Sequence, residues 1–140
     1  MRHLHLEKSG IRGLAIAESF SQDSKKSVLS GIVMSTDLVI DGFVMGHSTV
    51  GGDDATDAIL SMYEKLDRAD ISFLLISGII ISLYNMIDVK RISEKTGLPV
   101  IAITHDESDG IEDAIKHHFP DSYKSKLAEY SKLGSREKIT

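Results

Sequence analysis

The chain reads as an α/β protein built on a mixed five-stranded sheet, with three antiparallel strands first and βα units after them. Three observations lead there. Residues 11–50 hold three mostly apolar stretches joined by short polar turns, too close together for helical crossovers. Near Asp54 the apolar period changes from 2 to 3.6. From residue 71 onward, continuous apolar stretches alternate with helix patterns, as expected of strands covered by helices.

Each element follows from local chemistry. IRGLAIAESF (residues 11–20) is a first strand ending in polar residues, and SFSQDSKKS is the turn after it. SVLSGIVMS (27–35) and LVIDGFVMGHSTV (38–50) form a hairpin turning around Thr36 and Asp37. Ala55, Ile59, Met62 and Leu66 then fall on one stripe of an amphipathic helix. Asp54 stands at its N-cap position with Asp57 three residues on, the spacing of a capping box. ISFLLISG (71–78) is a buried strand, and a helix over residues 83–95 stops at Gly97 before Pro99. PVIAITH (99–105) is a second buried strand, with its proline at the first residue. GIEDAIKHHF (110–119) is a short helix halted by Pro120, and SYKSKLAEYSKL (122–133) is the last one. The order βββ-α-β-α-β-α-α is that of the ribonuclease H-like fold. No repeat, low-complexity tract or linker interrupts it, so residues 1–140 are expected to form a single domain.

Composition narrows the function. Lys and Arg number 16 against 21 Asp and Glu, a net charge of −5, which argues against coating nucleic acid by bulk electrostatics. A local basic patch remains compatible with that sum. The absence of cysteine excludes disulfides, thiolate metal sites and a cysteine nucleophile, and fits a reducing cytoplasm. Residues 1–13 lack the apolar core of a signal peptide. Residues 71–87 are uncharged but fall short of the roughly 20 a membrane span needs. Ser72, Ser77, Gly78, Ser82 and Asn85 interrupt them, so no span is expected. There is no P-loop, no GxSxG elbow and no HExxH helix, which excludes P-loop nucleotide hydrolysis and serine hydrolysis.

Six segments occur in order: GIRGLAIAESF, GIVMSTDLVIDGF, TVGGDDATDAI, LISGIIISLYNMIDV, TGLPVIAIT and LGSRE. Together they resemble the archaeal endonuclease V-like family, also called endonuclease dU, over nearly the whole chain. The resemblance implies a ribonuclease H-like sheet and, by analogy with endonuclease V, Mg²⁺-dependent cleavage of nucleic acid near deaminated bases. This sequence departs from the family pattern at four places. Many relatives carry aspartates where Ile16 and Ala17 stand, another acidic residue where Gly51 stands, and one more at Ser77. Relatives also continue past LGSRE into another strand, so the chain resembles a C-terminally shortened member.

Topology places the candidate residues. Ligands bind beyond the carboxyl ends of parallel strands, and those ends carry Glu18, Ser77 and the THDES stretch with His105. The third strand brings residues 49–54 to the same rim. Glu18 and Asp54 are candidate metal ligands, with His105 as a general base. Each also has a plainer reading: a solvated strand-end carboxylate for Glu18, an N-cap for Asp54 and a loop histidine for His105. Asp57 would bond back to that cap, and Ser77 would close an apolar strand or hold a water or phosphate.

Asp41, alternating with Val39 and Phe43, reads mainly as an inward charge that protects an edge strand, at the far end of the sheet from Glu18. Asn85 and Asp88 would share a face near the N-terminus of the second helix, with Asp88 compensating its dipole. Lys25, Lys26 and Arg12 would flank the rim and steer phosphate. Three functions stay open: a Mg²⁺-dependent endonuclease, a non-catalytic nucleic-acid or nucleotide binder, and a protein-interaction module whose edge strand pairs with a copy of itself.

Overall fold

The computed structural model describes residues 10–21, 23–78, 80–81, 84–104, 115–117, 119–121 and 123–131. They fall into two compact units, Met1–His105 and Asp106–Thr140. In the first, β1 (Arg12–Ser19), β2 (Lys26–Ser35) and β3 (Ile40–Thr49) form an antiparallel meander. The helix α1 (Ala55–Leu66) leads to β4 (Ile71–Ser77), which pairs parallel with β1. A two-rung hairpin of β5 (Ile80–Ile81) and β6 (Asn85–Met86), then α2 (Val89–Thr96), lead to β7 (Val100–Ile103), parallel to β4. The five-stranded sheet has the order β3-β2-β1-β4-β7, as the ribonuclease H-like reading expects.

One face of the sheet carries the core. Period-2 alternation turns Leu14 and Ile16 of β1, Leu29 and Val33 of β2, and Leu74 and Ile76 of β4 inward. Ile59 and Met62 of α1 and Ile92 of α2 close over them. Met62 lies directly on the backbone, because β3 offers it a glycine. A Cβ on Gly46 would stand 2.7 Å from both Cγ and Sδ of Met62.

The structure corrects several local expectations. The helix predicted over residues 83–95 begins only at Val89, since Ile80–Ile81 and Asn85–Met86 pair as the antiparallel strands β5 and β6. A short apolar stretch has no period that separates strand from helix. The helix does stop at Gly97, whose φ of 72° is the left-handed C-cap. The strand predicted over residues 99–105 is not buried on both faces: Ile101 is 44% and Ile103 40% exposed. It is an edge strand, and alternation turns these two away from the core.

In the second unit, Phe119 N–H donates to Ile115 O at 2.9 Å, and α3 (Tyr123–Ser131) follows Pro120. The ammonium groups of Lys126 and Lys116 lie over the rings of Phe119 and Tyr123, 5.1 and 5.7 Å from the ring centres.

Gly46→Ala is expected to destabilise the fold by about 1–3 kcal/mol through overpacking. In a Met62→Ala background the same change should cost much less, because the clashing side chain is gone. Urea unfolding of the four proteins of this cycle checks the coupling, and additive effects would refute the contact.

Candidate functional site

The carboxyl ends of β1, β4 and β7 open together. Register sets Ile16 level with Ile76, and Ser77 level with Ile103, so Ala17 and Ser77 stand side by side at the rim. Glu18 follows, half-buried and opposite Leu29 of β2. It lines a recess of ≈ 10 Å³ with Ile16, Leu29, Ile59, Ser77 and Ile81, about the room of one water. A larger recess of ≈ 360 Å³ is lined by Ala15, Ala17, Ser30, Ile32, Ser77 and Ile103. Its wall is almost wholly apolar.

The β3–α1 corner reaches this end of the sheet through a polar network. Asp54 occupies the N-cap position of α1, yet its side chain does not cap the helix. Its Oδ1 accepts from Thr49 N (2.8 Å) and Asn85 Nδ2 (2.9 Å), and its Oδ2 from Thr49 Oγ1 (2.7 Å). The cap is supplied by Asn85, whose Oδ1 accepts from Ala55 N at 3.0 Å while its Nδ2 also donates to Thr49 O. Asn85 is 0% exposed. Burial alone would raise the Asp54 carboxyl, but the hydrogen bonds from Thr49 and Asn85 outweigh it and hold the pKa at about 2. Lys26 Nζ donates to Thr49 Oγ1 at 3.1 Å, placing a cation beside this cluster.

Other expectations change accordingly. The capping box does not form: the Asp54 carboxylate is taken by Thr49 and Asn85, and Asp57 pairs with Arg91 at 2.9 Å. Asn85 lies on β6, so it shares no helix face with Asp88. Asp88 is the N-cap of α2, accepting from Arg91 N at 3.1 Å, while its own N–H donates to Thr56 Oγ1. That capping role agrees with compensation at the helix N-terminus.

Asp41 lies at the far end of the sheet, as expected, but its alternation with Val39 and Phe43 fails. Register shifts between Val33 and Met34, opposite Gly42 and Ile40, so Asp41 is the extra residue of a bulge. Its carboxylate pairs with Arg12 (2.8 Å) and Arg68 (3.0 Å), and Arg68 pairs with Asp70. Hydrogen bonds from Arg12 first, then Arg68, hold the Asp41 carboxyl below its ordinary value. Arg12 therefore belongs to this cluster and not to the rim. His105 lies outside the described residues. Among the described residues, no group of three or more His, Cys, Asp or Glu is arranged to hold a metal. Sequence reasoning missed Thr49 as the centre of the network, and its one signal was a hydroxyl five residues before an N-cap aspartate.

Comparison with known proteins decides the family. The sequence profile described as endonuclease dU matches residues 9–140. The chain belongs to the endonuclease dU family. A UPF0215 protein of Pyrobaculum calidifontis is 36% identical over 109 residues, 77% of this chain and 60% of that protein. A UPF0215 protein of Thermococcus kodakarensis is 34% identical over 108 residues, covering 74% and 55%. The matched part thus spans little more than half the length of these relatives. Among solved structures, a protein of unknown function from Archaeoglobus fulgidus aligns with a TM-score of 0.75 and 25% identity, covering 89% of this chain and 70% of that one. Endonuclease V of Ciona intestinalis, in complex with a 24mer DNA containing an inosine followed by a ribo-adenosine, gives a TM-score of 0.54 at 12% identity. The alignment covers 96% of this chain and 61% of that one. The endonuclease dU chain thus shares the ribonuclease H-like sheet of endonuclease V.

Asp54→Asn should destabilise the protein at neutral pH by about 1–2 kcal/mol, through loss of charge-assisted hydrogen bonds. The depressed pKa means the carboxylate's contribution is full above the ordinary value of 3.8 and is lost as pH falls through that value to about 2. The gap between wild type and Asp54→Asn should therefore close over that window in acid-unfolding curves. Asn85→Ala strands buried partners on both sides and should cost about 2–4 kcal/mol, read by urea unfolding. A cost below that of a surface substitution would remove Asn85 from its place.

Proposed function

We propose that this endonuclease dU chain acts on nucleic acid as an endonuclease-like protein directed at strands with deaminated bases. The observation supporting this is the sheet itself, whose parallel β1, β4 and β7 open one rim at their carboxyl ends. Endonuclease V from Ciona intestinalis, which shares the fold, is described with inosine-containing DNA. A shared fold does not carry chemistry, so the chemistry must come from the residues at the rim.

The family relation implies a divalent metal, and Mg²⁺ is the ion expected. A two-metal cage needs several free carboxylates, and the described residues do not supply them. Ile16, Ala17 and Ser77 offer no carboxylate, and that of Asp54 is already held by three donors. Glu18, with waters, suits one weakly held hard cation. When bound, such a cation polarises a phosphoryl oxygen. The role of Glu18 is to hold it at the rim, and Lys26 adds positive charge for backbone phosphates.

The apolar recess beside Ala17 and Ser77 favours a second reading, binding without cleavage. Strands containing inosine or uracil, incubated with Mg²⁺ or Mn²⁺, separate the two. We expect binding together with slow cleavage, and Glu18→Gln should abolish the cleavage while leaving thermal unfolding unchanged. Binding without cleavage in either metal would establish the second reading. Cleavage untouched by Glu18→Gln would overturn the role given to Glu18, and failure to bind any strand would overturn both readings.

A further inference from the structure

β3 is an edge strand of the five-stranded sheet, and it has the marks of one that should attract another strand. It is ten residues long, and Leu38, Val39, Ile40, Phe43 and Met45 along it and its turn are exposed. An edge of this length and apolarity is a template for antiparallel pairing.

Several of its outward backbone groups are nevertheless occupied. Lys65 Nζ, from the last turn of α1, donates to Met45 O at 3.2 Å. Arg68 Nη1 donates to the carbonyl of bulged Asp41 at 3.3 Å and to its carboxylate at 3.0 Å. At the other end, Asp54 takes Thr49 N–H and Asn85 takes Thr49 O. Outward groups fall on every second residue of an antiparallel strand. With the carbonyls of Asp41, Met45 and Thr49 taken, the rungs at Phe43 and His47 each lie between partly blocked neighbours. An incoming strand cannot close two consecutive rungs without displacing Lys65, and the bulge ends the ladder at Asp41.

We infer that Lys65 and Arg68 are guard residues that close the β3 edge and keep this chain from pairing through β3 with a second copy of itself. The guards lie on α1 and the segment after it, so the helix that covers the core also shields the edge.

Sedimentation velocity over a wide concentration range tests this, with circular dichroism to follow folding. The wild-type chain should show no self-association through β3. Lys65→Ala should introduce concentration-dependent dimer, and Lys65→Ala with Arg68→Ala should shift the equilibrium further. Adding Phe43→Lys should return both to monomer, because it sets a charge on the pairing strand. If the double variant loses its fold, Lys65→Ala decides alone, since it leaves the Arg12–Asp41–Arg68–Asp70 cluster intact. Folded variants that stay monomeric would overturn the proposal. So would a wild-type dimer abolished by Phe43→Lys.

Discussion

The fold depends on how one buried amide is satisfied. Asn85 uses both donors and its acceptor, on Thr49 O, Asp54 Oδ1 and Ala55 N. Three separate chain segments meet there: the end of β3, the start of α1 and the short strand β6. A buried polar group without partners is costly, so these segments hold one relative position in which every group is paired. No buried side-chain polar atom among the described residues lacks a partner. An apolar residue of the same volume would fill the space but would leave the start of α1 uncapped and Thr49 O unpaired.

That arrangement also decides how the acidic residues are used. Asp54 goes to the corner, Asp57 to Arg91, Asp88 to the start of α2, and Asp41 to Arg12 and Arg68. Each would be an attractive cation ligand when seen by sequence position alone. In the folded chain each carboxylate is committed to an N–H, a hydroxyl or a guanidinium, and drawing it onto a metal would break a structural contact. Glu18 is carried to the rim by β1 itself. The Asp54 network still has a part at this end of the sheet, since it fixes where Thr49 and the Lys26 ammonium stand.

The two faces of the sheet differ as much as its two ends. The inner face packs against α1 and α2 with glycines where the helix comes closest, whereas the other carries Phe43, Met45, Ile101 and Ile103 with large exposed surface. Polar protection is concentrated on the β3 edge, where unpaired backbone would otherwise recruit another strand. Here α1 serves twice, with its apolar stripe on the core and its last-turn lysine over the edge.

The sequence by itself determined the class of the fold. Alternation defined β1 to β3, the i, i+4, i+7 stripe defined α1, and glycine with proline marked the end of α2. These are local periodicities, and they survive because the sheet and helices that form bury the same stripes. The same local reading located Glu18 at a strand end and separated Asp41 from it. What the tertiary structure decided was partner choice. Asp54 and Asp57 have capping-box spacing, but Asn85, 30 residues from Ala55 along the chain, takes over the cap. Residues 80–86 could not be assigned by period, and the pairing of Ile80–Ile81 with Asn85–Met86 is what brings Asn85 into position. The bulge at Asp41 likewise needs β2 as its ruler. Spacing along the chain specifies which faces are apolar, whereas which polar group satisfies which depends on contacts between distant segments, and those exist only once the sheet has formed.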